Sequence, residues 1–349
     1  MPDLTEGQRG MTKGQVRVSV FGKTDLGRTR ERNEDTFLVA DLSSGSASLQ
    51  PEVRNHAIGA RGSLFIVADG MGGAAAGELA SAMAADHIHH HMATTWTSDT
   101  IATAERFAFR MREAVELANS AIHDYAREHP EVRGMGTTVT VAGIFGSDLY
   151  LAQIGDSRAY LVRNSDAIQL TKDQSLMQRL VDAGELTEDE AEQSERRNII
   201  LQALGPDPRV KVDLTYQSVR RGDVLILCSD GLSGLVRREE FAMLAGRHLD
   251  PSALCAALID LANSRGGPDN ITVITARFDG DGLREPDTAE GVGYQTYQLP
   301  AASNESDPSA AQVGDSAAPE SILTLDRLRN LGLIMLVLGV LILLLAVLD

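Results

Sequence analysis

Cysteine is nearly missing from this 349-residue chain, which carries only Cys228 and Cys255. Two thiols with no Cys/His partner spacing exclude a disulfide framework and a zinc-binding pattern. They also fit a reducing, intracellular setting. Cys228 closes an apolar run and reads as a small core residue. Positive charge is scarce as well: 32 Lys and Arg stand against 49 Asp and Glu, a formal net charge of −17. With no basic stripe, general nucleic-acid binding is excluded, because it needs a positive field. The N-terminus has no apolar signal-type core, since residues 1–14 are polar and glycine-containing. The single tryptophan, Trp96, reads as a packing residue.

What is present is room for a sizeable core and a mixed order of elements. Strand-like runs occur at Val16 to Phe21, Thr36 to Ala40 and Leu64 to Ala68, with a surface loop over 41–62. Helical patterns follow at 77–95 and 100–128. An antiparallel meander is expected over Thr137 to Ile144, Leu149 to Ile154, Ala159 to Val162 and Ile168 to Leu170. A charged helix over 174–192, strands at 210–218 and 224–228, helices near 238–263 and a last strand at 271–278 complete an α+β order.

Beyond that strand the composition shifts to Gly, Pro, Ser, Ala and acids, so residues 279–324 read as a disordered acidic linker. At about 40 residues such a segment spans roughly 35 Å. Residues 331–348 then carry no charged or polar side chain. That run is about 27 Å of helix, enough to cross a hydrocarbon core. Arg327 and Arg329 precede it and only Asp349 follows. The segment 325–349 is therefore expected to be a transmembrane anchor in contact with lipid, tail-anchoring a cytoplasmic domain of residues 15–278 behind a flexible tail of residues 1–14.

The chemistry concentrates in acids beside Gly or Asn at strand ends. Asp69-Gly70 follows Leu64 to Ala68, and Asp230-Gly231 follows Val224 to Cys228 in the same design. Asn33-Glu34-Asp35 opens a strand, Gly155-Asp156-Ser157-Arg158 is a tight turn, and Asp269-Asn270 opens the last strand. Asp-Gly is also the commonest turn pair, so one such site says little. Five together suit a hard cation such as Mg²⁺ or Mn²⁺, which prefers oxygen ligands. A glycine has no Cβ to stop its carbonyl turning toward the same ion. His87, His89, His90 and His91 read as a solvated helix face rather than as ligands.

In this order the motifs resemble the PPM family, the type 2C metal-dependent Ser/Thr protein phosphatases, in its bacterial form. Thr24-Asp25-Leu26-Gly27 with Arg30 and Asn33-Glu34-Asp35, then Asp69 through Gly77-Glu78, are similar to the first two family motifs. Gly134-Met135-Gly136-Thr137-Thr138, Gly155-Asp156-Ser157-Arg158, Ser229-Asp230-Gly231-Leu232 and Asp269-Asn270-Ile271-Thr272 follow in the family's sequence, so the likeness covers roughly residues 16–278. It implies two stacked antiparallel β-sheets flanked by helices, a four-layer sandwich with the metals in a cleft at one end.

The resemblance also implies roles. Asp69 bridges two Mn²⁺ or Mg²⁺ ions, the Gly70 carbonyl joins one of them, and Asp230 and Asp269 are the other direct ligands. Glu34 and Asp35 orient water around the metals, Arg30 holds the substrate phosphate, and Asp156 serves a third, weaker metal. The implied activity is hydrolysis of phosphoserine and phosphothreonine by in-line attack of a hydroxide shared by two cations. Implied partners are proteins phosphorylated on Ser or Thr, either substrates of Ser/Thr kinases or the kinases themselves. Three departures stand out: Met71 where many eukaryotic relatives have a His, Gly234 where relatives often have an Asp, and Gln174 where His is usual. Residues 174–205 resemble a flap that shapes substrate access. Two other readings stay open at this level: a catalytically weak scaffold of the same fold, and a two-metal nuclease, against which the acidic charge weighs.

Overall fold

The computed structural model describes residues 14–300 apart from 49, 51, 53, 73–75, 195, 197, 288 and 289. Strands β1 (Arg17–Asp25), β2 (Asp35–Asp41), β3 (Ser46–Ser48), β4 (Arg54–Ala57) and β5 (Ser63–Met71) lead into helices α1 (Ala76–His91) and α2 (Ala104–Glu128). Strands β6 (Gly136–Thr137), β7 (Val139–Phe145), β8 (Asp148–Ile154), β9 (Arg158–Arg163) and β10 (Asp166–Gln169) follow, then α3 (Leu176–Asp182) and α4 (Glu188–Glu192). The order closes with β11 (Asp213–Ser218), β12 (Val224–Cys228), α5 (Asp230–Ser233), α6 (Arg238–Arg247), α7 (Pro251–Ser264) and β13 (Ile271–Asp279).

These strands make two antiparallel sheets. One runs β10-β9-β12-β13-β1-β4; the other runs β11-β8-β7-β5-β2-β3, with β6 paired to β5. Successive side chains of a strand face opposite ways, and here both faces are covered. In β5, Phe65 and Val67 enter the core between the sheets, while Leu64, Ile66 and Ala68 enter the core under α1 and α2. In β12, Leu225 and Leu227 face the other sheet, while Val224, Ile226 and Cys228 face α6 and α7. That is why both strands read as unbroken apolar runs rather than alternations. The result is four layers, helix-sheet-sheet-helix, as the resemblance implied.

The outer helices follow from their sequences. Thr103 caps α2 by accepting a hydrogen bond from the Arg106 amide, and Phe107, Met111, Ala114, Val115, Ala118 and Ile122 bury one stripe. Trp96 is fully buried, stacks edge-on with Phe107 at 5.2 Å between centroids, and donates Nε1–H to the Arg61 carbonyl at 2.9 Å. It is a packing residue.

Three expectations change. The loop over 41–62 contains β3 and the edge strand β4, which pairs with β1. The helix expected over 174–192 is two helices: Gly184 at φ 73° ends α3, and Thr187 with Glu190 forms a capping box that starts α4. The linker expected from residue 279 is, over 280–287 and 290–300, laid back on the domain. The Tyr216 amide donates to the Gln295 carbonyl at 3.0 Å and the Tyr297 amide to Leu214 at 2.8 Å, with Thr296 bridging Thr215. Leu283 is buried, Tyr297 packs on Tyr150 at 5.2 Å, and Arg220 holds Glu290 at 2.6 Å. A few spaced anchors plus main-chain hydrogen bonds to the β11 edge order a stretch whose composition looked too polar to fold. The rest of the expected linker and the span at 331–348 lie outside the described residues. Among the described residues no helix is long and apolar enough to cross a membrane.

Candidate metal centre

The predicted acids sit at one end of both sheets. Asp69 lies near the end of β5, and the antiparallel register places Asp35, the first residue of β2, directly opposite it. On the other sheet, Asp230 follows β12 and Asp269 precedes β13, strands paired through Cys228 and Val273. Asp156 occupies the β8–β9 turn, and Arg30 lies in the β1–β2 loop.

Electrostatics shows that they meet. Burial raises the Asp69 carboxyl well above its usual range, followed by the charges of Asp35, Asp230, Asp156 and Asp269. Burial takes Asp35 up to about 7, against hydrogen bonds from Thr272 and Ser229, and the charges of Asp230 and Asp269 add to the rise. Asp156 rises to about 8, first through burial and then through Asp230 and Asp173, with Arg158 opposing. Asp230 is raised by burial and by Asp269, a hydrogen bond with Asp69 offsetting part of it. Acids from five separated segments therefore share one field, in which Asp35, Asp69, Asp156 and Asp230 resist ionising beside the others.

The remaining predicted residues take distinct places. Arg30 Nη2 donates to Asp269 Oδ2 at 2.7 Å, and about half of its side chain (49%) stays exposed. The Glu34 carboxylate lies against Gly77 in the first turn of α1, where a Cβ would stand 2.7 Å from Oε2; an acid there also suits the positive end of the helix. Gly70 is fixed by contact: a Cβ on it would fall 2.1 Å from the Gly77 carbonyl oxygen and 2.5 Å from that of Glu34. Met71 ends β5 paired with Gly136. The Gly234 amide donates to the Asp230 carbonyl at 2.7 Å. Of the four neighbouring histidines, His91 pairs with Glu113 at 2.8 Å, and His87 and His90 are exposed.

The supporting residues were the part that sequence reasoning missed. The Asn270 side chain accepts from the Glu34 amide at 2.9 Å and donates to the Leu26 and Arg32 carbonyls, tying the β1–β2 loop to β13. Ser229 Oγ donates to Asp35 Oδ2 at 2.8 Å and accepts the Thr272 amide at 3.0 Å. Thr137 Oγ1 donates to the Asp69 carbonyl at 2.8 Å. Gln174, given no role from sequence, accepts the Gly155 amide at 2.9 Å and donates its own amide to the Gly155 carbonyl at 2.9 Å, clamping the turn that carries Asp156. Only their places inside motifs hinted at these roles.

A cleft of about 1370 Å³ opens beside the acids, lined by Arg30, Asp156, Asp230 and Asp269 on one side and by Gln178 and Val181 of α3 on the other. The donor set fits hard divalent cations: buried oxygens without enough positive charge, among them Asp156 Oδ1, which has no hydrogen-bond partner. Among the described residues, no three acidic, His or Cys side chains already stand in a ready coordination geometry. Arg30 occupies Asp269. The fit therefore rests on charge and on the orphaned oxygen.

Comparison with known proteins agrees with this geometry. Residues 50–257 match the family model for protein phosphatase 2C. The chain belongs to that family. It is 36% identical over 258 residues to the serine/threonine phosphatase Stp of Listeria monocytogenes, covering 74% of this chain and 94% of that one. It is 37% identical over 255 residues to the serine/threonine protein phosphatase PstP of Mycobacterium tuberculosis, covering 73% of this chain and 44% of that one. The crystal structure of the M. tuberculosis phosphatase superposes with a TM-score of 0.63 at 33% identity, over 77% of this chain and 100% of that chain. A structure of the PstP catalytic domain with two manganese ions gives a TM-score of 0.61 at 33% identity, over 76% and 99% of the two chains. The protein is thus a phosphoprotein phosphatase, a hydrolase of the bacterial PPM kind, metal-dependent by family.

Proposed function

We propose that this chain removes phosphate from phosphoserine and phosphothreonine side chains by in-line attack of water, with two Mn²⁺ or Mg²⁺ ions held by Asp69, the Gly70 carbonyl, Asp230 and Asp269. When bound, such ions supply acidification of water and positive charge beside the phosphoryl oxygens, which a phosphate dianion otherwise denies its attacker. The chain's own residues do the rest. Asp35, anchored through Ser229, and Glu34, whose main chain is held by Asn270, orient water within the centre. Arg30 stands half-exposed at the cleft and offers a planar fork of donors that can exchange Asp269 for a substrate phosphate. Holding the ester in line lowers the positional cost of attack. Asp156, with its unpartnered buried oxygen, is the place for a third, weaker cation.

The observation that carries this reading is the convergence of acids from separate segments: Asp35 stands opposite Asp69 and is bonded to Ser229 beside Asp230, while Asp156, Asp230 and Asp269 line one cleft. Its test is Mn²⁺-dependent phosphate release from a phosphothreonine peptide. Asp69→Ala should lower it about a thousandfold, the scale of several kcal/mol of charge stabilisation. Activity that survives the substitution, or persists in chelator, refutes the mechanism. The same proposal includes residues 331–348 as a lipid-embedded anchor that keeps the domain on the cytoplasmic face, near Ser/Thr kinases and their substrates.

A further inference from the structure

The segment 290–300, a strap that follows β13, reaches the flap helix α3 through Lys172. Its backbone is fixed along β11 by the Gln295 and Tyr297 hydrogen bonds described above. Tyr294 Oη donates to Asp213 Oδ2 at 2.7 Å, which sets its ring. Over that ring, 6.0 Å from its centroid, stands the Lys172 ammonium. Lys172 also pairs with Asp182 at the end of α3, at 2.8 Å. Asp182 in turn accepts from Gln178 at 3.0 Å, one turn earlier on α3 and facing the cleft.

Lys172 is not an isolated surface lysine, because it heads a three-residue bracket. Its amide donates to Gln153 at 3.2 Å. Next to it, Asp173 holds Arg158 through hydrogen bonds of 2.7 and 3.0 Å. After that comes Gln174, which clamps the Gly155 turn under Asp156. One bracket thus joins strap, flap helix and cleft floor. Tyr294 remains 40% exposed, so its burial adds little, and its ring and hydroxyl are used for these two contacts. The strap lies beyond residue 257, where the family match ends.

We propose that Tyr294 and Lys172 are positioning residues for substrate access: the strap holds Lys172, and Lys172 holds α3, whose Gln178 and Val181 form the wall of the cleft where a phosphopeptide enters. The inference rests on the phosphatase reading for its substrate. It distinguishes large substrates, which must pass α3, from small phosphate esters, which need only the acidic centre.

The experiment uses the full chain carrying Tyr294→Ala, Tyr294→Phe, Lys172→Met, or Tyr294→Ala with Lys172→Met. Kinetic constants are measured on an aryl phosphate and on a phosphothreonine peptide, together with the rate of tryptic cleavage after the exposed Arg179 of α3. In Tyr294→Ala, KM for the peptide should rise about two- to fivefold, the amount an exposed cation–π contact can move an equilibrium. The aryl phosphate kcat should stay unchanged, and cleavage after Arg179 should quicken by a similar factor. Tyr294→Phe, which keeps the ring, should stay nearer to wild type, and the double variant should be no worse than the more severe single one. Unchanged peptide KM and cleavage rate in Tyr294→Ala, or equal losses on both substrates, overturns the proposal. If the wild-type chain hydrolyses neither substrate, the phosphatase reading falls, and the cleavage rates still decide whether the strap holds the flap.

Discussion

Removing one charge from the acidic centre should stabilise the chelated protein while abolishing its activity. Asp69→Asn keeps the shape of the side chain and takes away the carboxylate on which the others converge. Two unit charges about 5 Å apart repel by about 3 kcal/mol at an effective dielectric constant near 20. The acids already avoid part of that by holding protons, which leaves about 1–3 kcal/mol to be gained, or about 3–10 °C in Tm for a domain of this size. The assay is thermal unfolding in chelator at pH 8, then with Mn²⁺. Wild type should melt lower in chelator and rise with Mn²⁺; the variant should melt higher in chelator and rise little. A lower melting temperature for Asp69→Asn in chelator refutes the picture of mutually repelling acids.

The pH dependence has a definite sign. Asp35 and Asp156 have folded values of about 7 and about 8 against an ordinary 3.8, so between these limits the folded chain binds protons that the unfolded chain has released. Stability in chelator therefore falls as pH rises from about 4 through 8. The gain from Asp69→Asn should shrink at pH 5, where Asp35 and Asp156 stay neutral.

Other outcomes follow from particular contacts. Gly70→Ala forces a Cβ to 2.1 Å from the Gly77 carbonyl, so Tm should drop by an amount equivalent to about 2–4 kcal/mol, with loss of Mn²⁺ stabilisation; a neutral substitution contradicts the close approach of α1. A chain ended after Pro300 should unfold like the full domain, whereas one ended after Asp279 loses the buried Leu283 and the partly buried Tyr297 and should melt several degrees lower, a fully buried apolar side chain being worth about 1.5–3 kcal/mol before ordering costs. Equal melting of the two would mean that the strap adds nothing. A chain ended at Ser321 should move from the membrane to the soluble fraction on cell fractionation; unchanged partition counts against the anchor.

Much of the centre was legible because its acids stand where regular structure stops. Asp69 and Asp230 end apolar runs that are long and unbroken because both faces of β5 and β12 are covered, and each is followed by a glycine held in close backbone contact. Gly70 meets Glu34 and Gly77, while a Cβ on Gly231 would stand 2.0 Å from the Asn270 carbonyl. Such contacts leave a mark in the sequence. The pairings that brace the acids do not: Ser229 finds Asp35 across 194 residues and Asn270 finds Glu34 across 236, and neither separation has a local signature. The break between α3 and α4 did have signals, Gly184 and the Thr187–Glu190 capping box, which the run of charged helix formers masked. The strap was hidden for the opposite reason, since its anchors are too few and too widely spaced to change the composition.

The placement of the acids also explains how a costly site persists. Asp35 and Asp69 belong to one sheet, Asp230 and Asp269 stand just after β12 and just before β13 of the other, and the Ser229–Asp35 hydrogen bond crosses between the two. The distance between the two carboxylate pairs is therefore set by the inter-sheet core of Phe37, Phe65, Val67, Leu227 and Ile274, a layer packed at about 10 Å in such sandwiches. Repulsion among the acids pushes the sheets apart at that end, and the core resists it along the whole interface. A cation held between Asp69 on one side and Asp230 and Asp269 on the other would reverse the sign, because its affinity would act directly on the folded state. At a hundredfold excess over its Kd it stabilises by about 2.7 kcal/mol, comparable to what the repulsion removes. Metal binding and sheet packing are thus two readings of one free energy, and chelation should loosen the sheet ends before it loosens either outer helix layer.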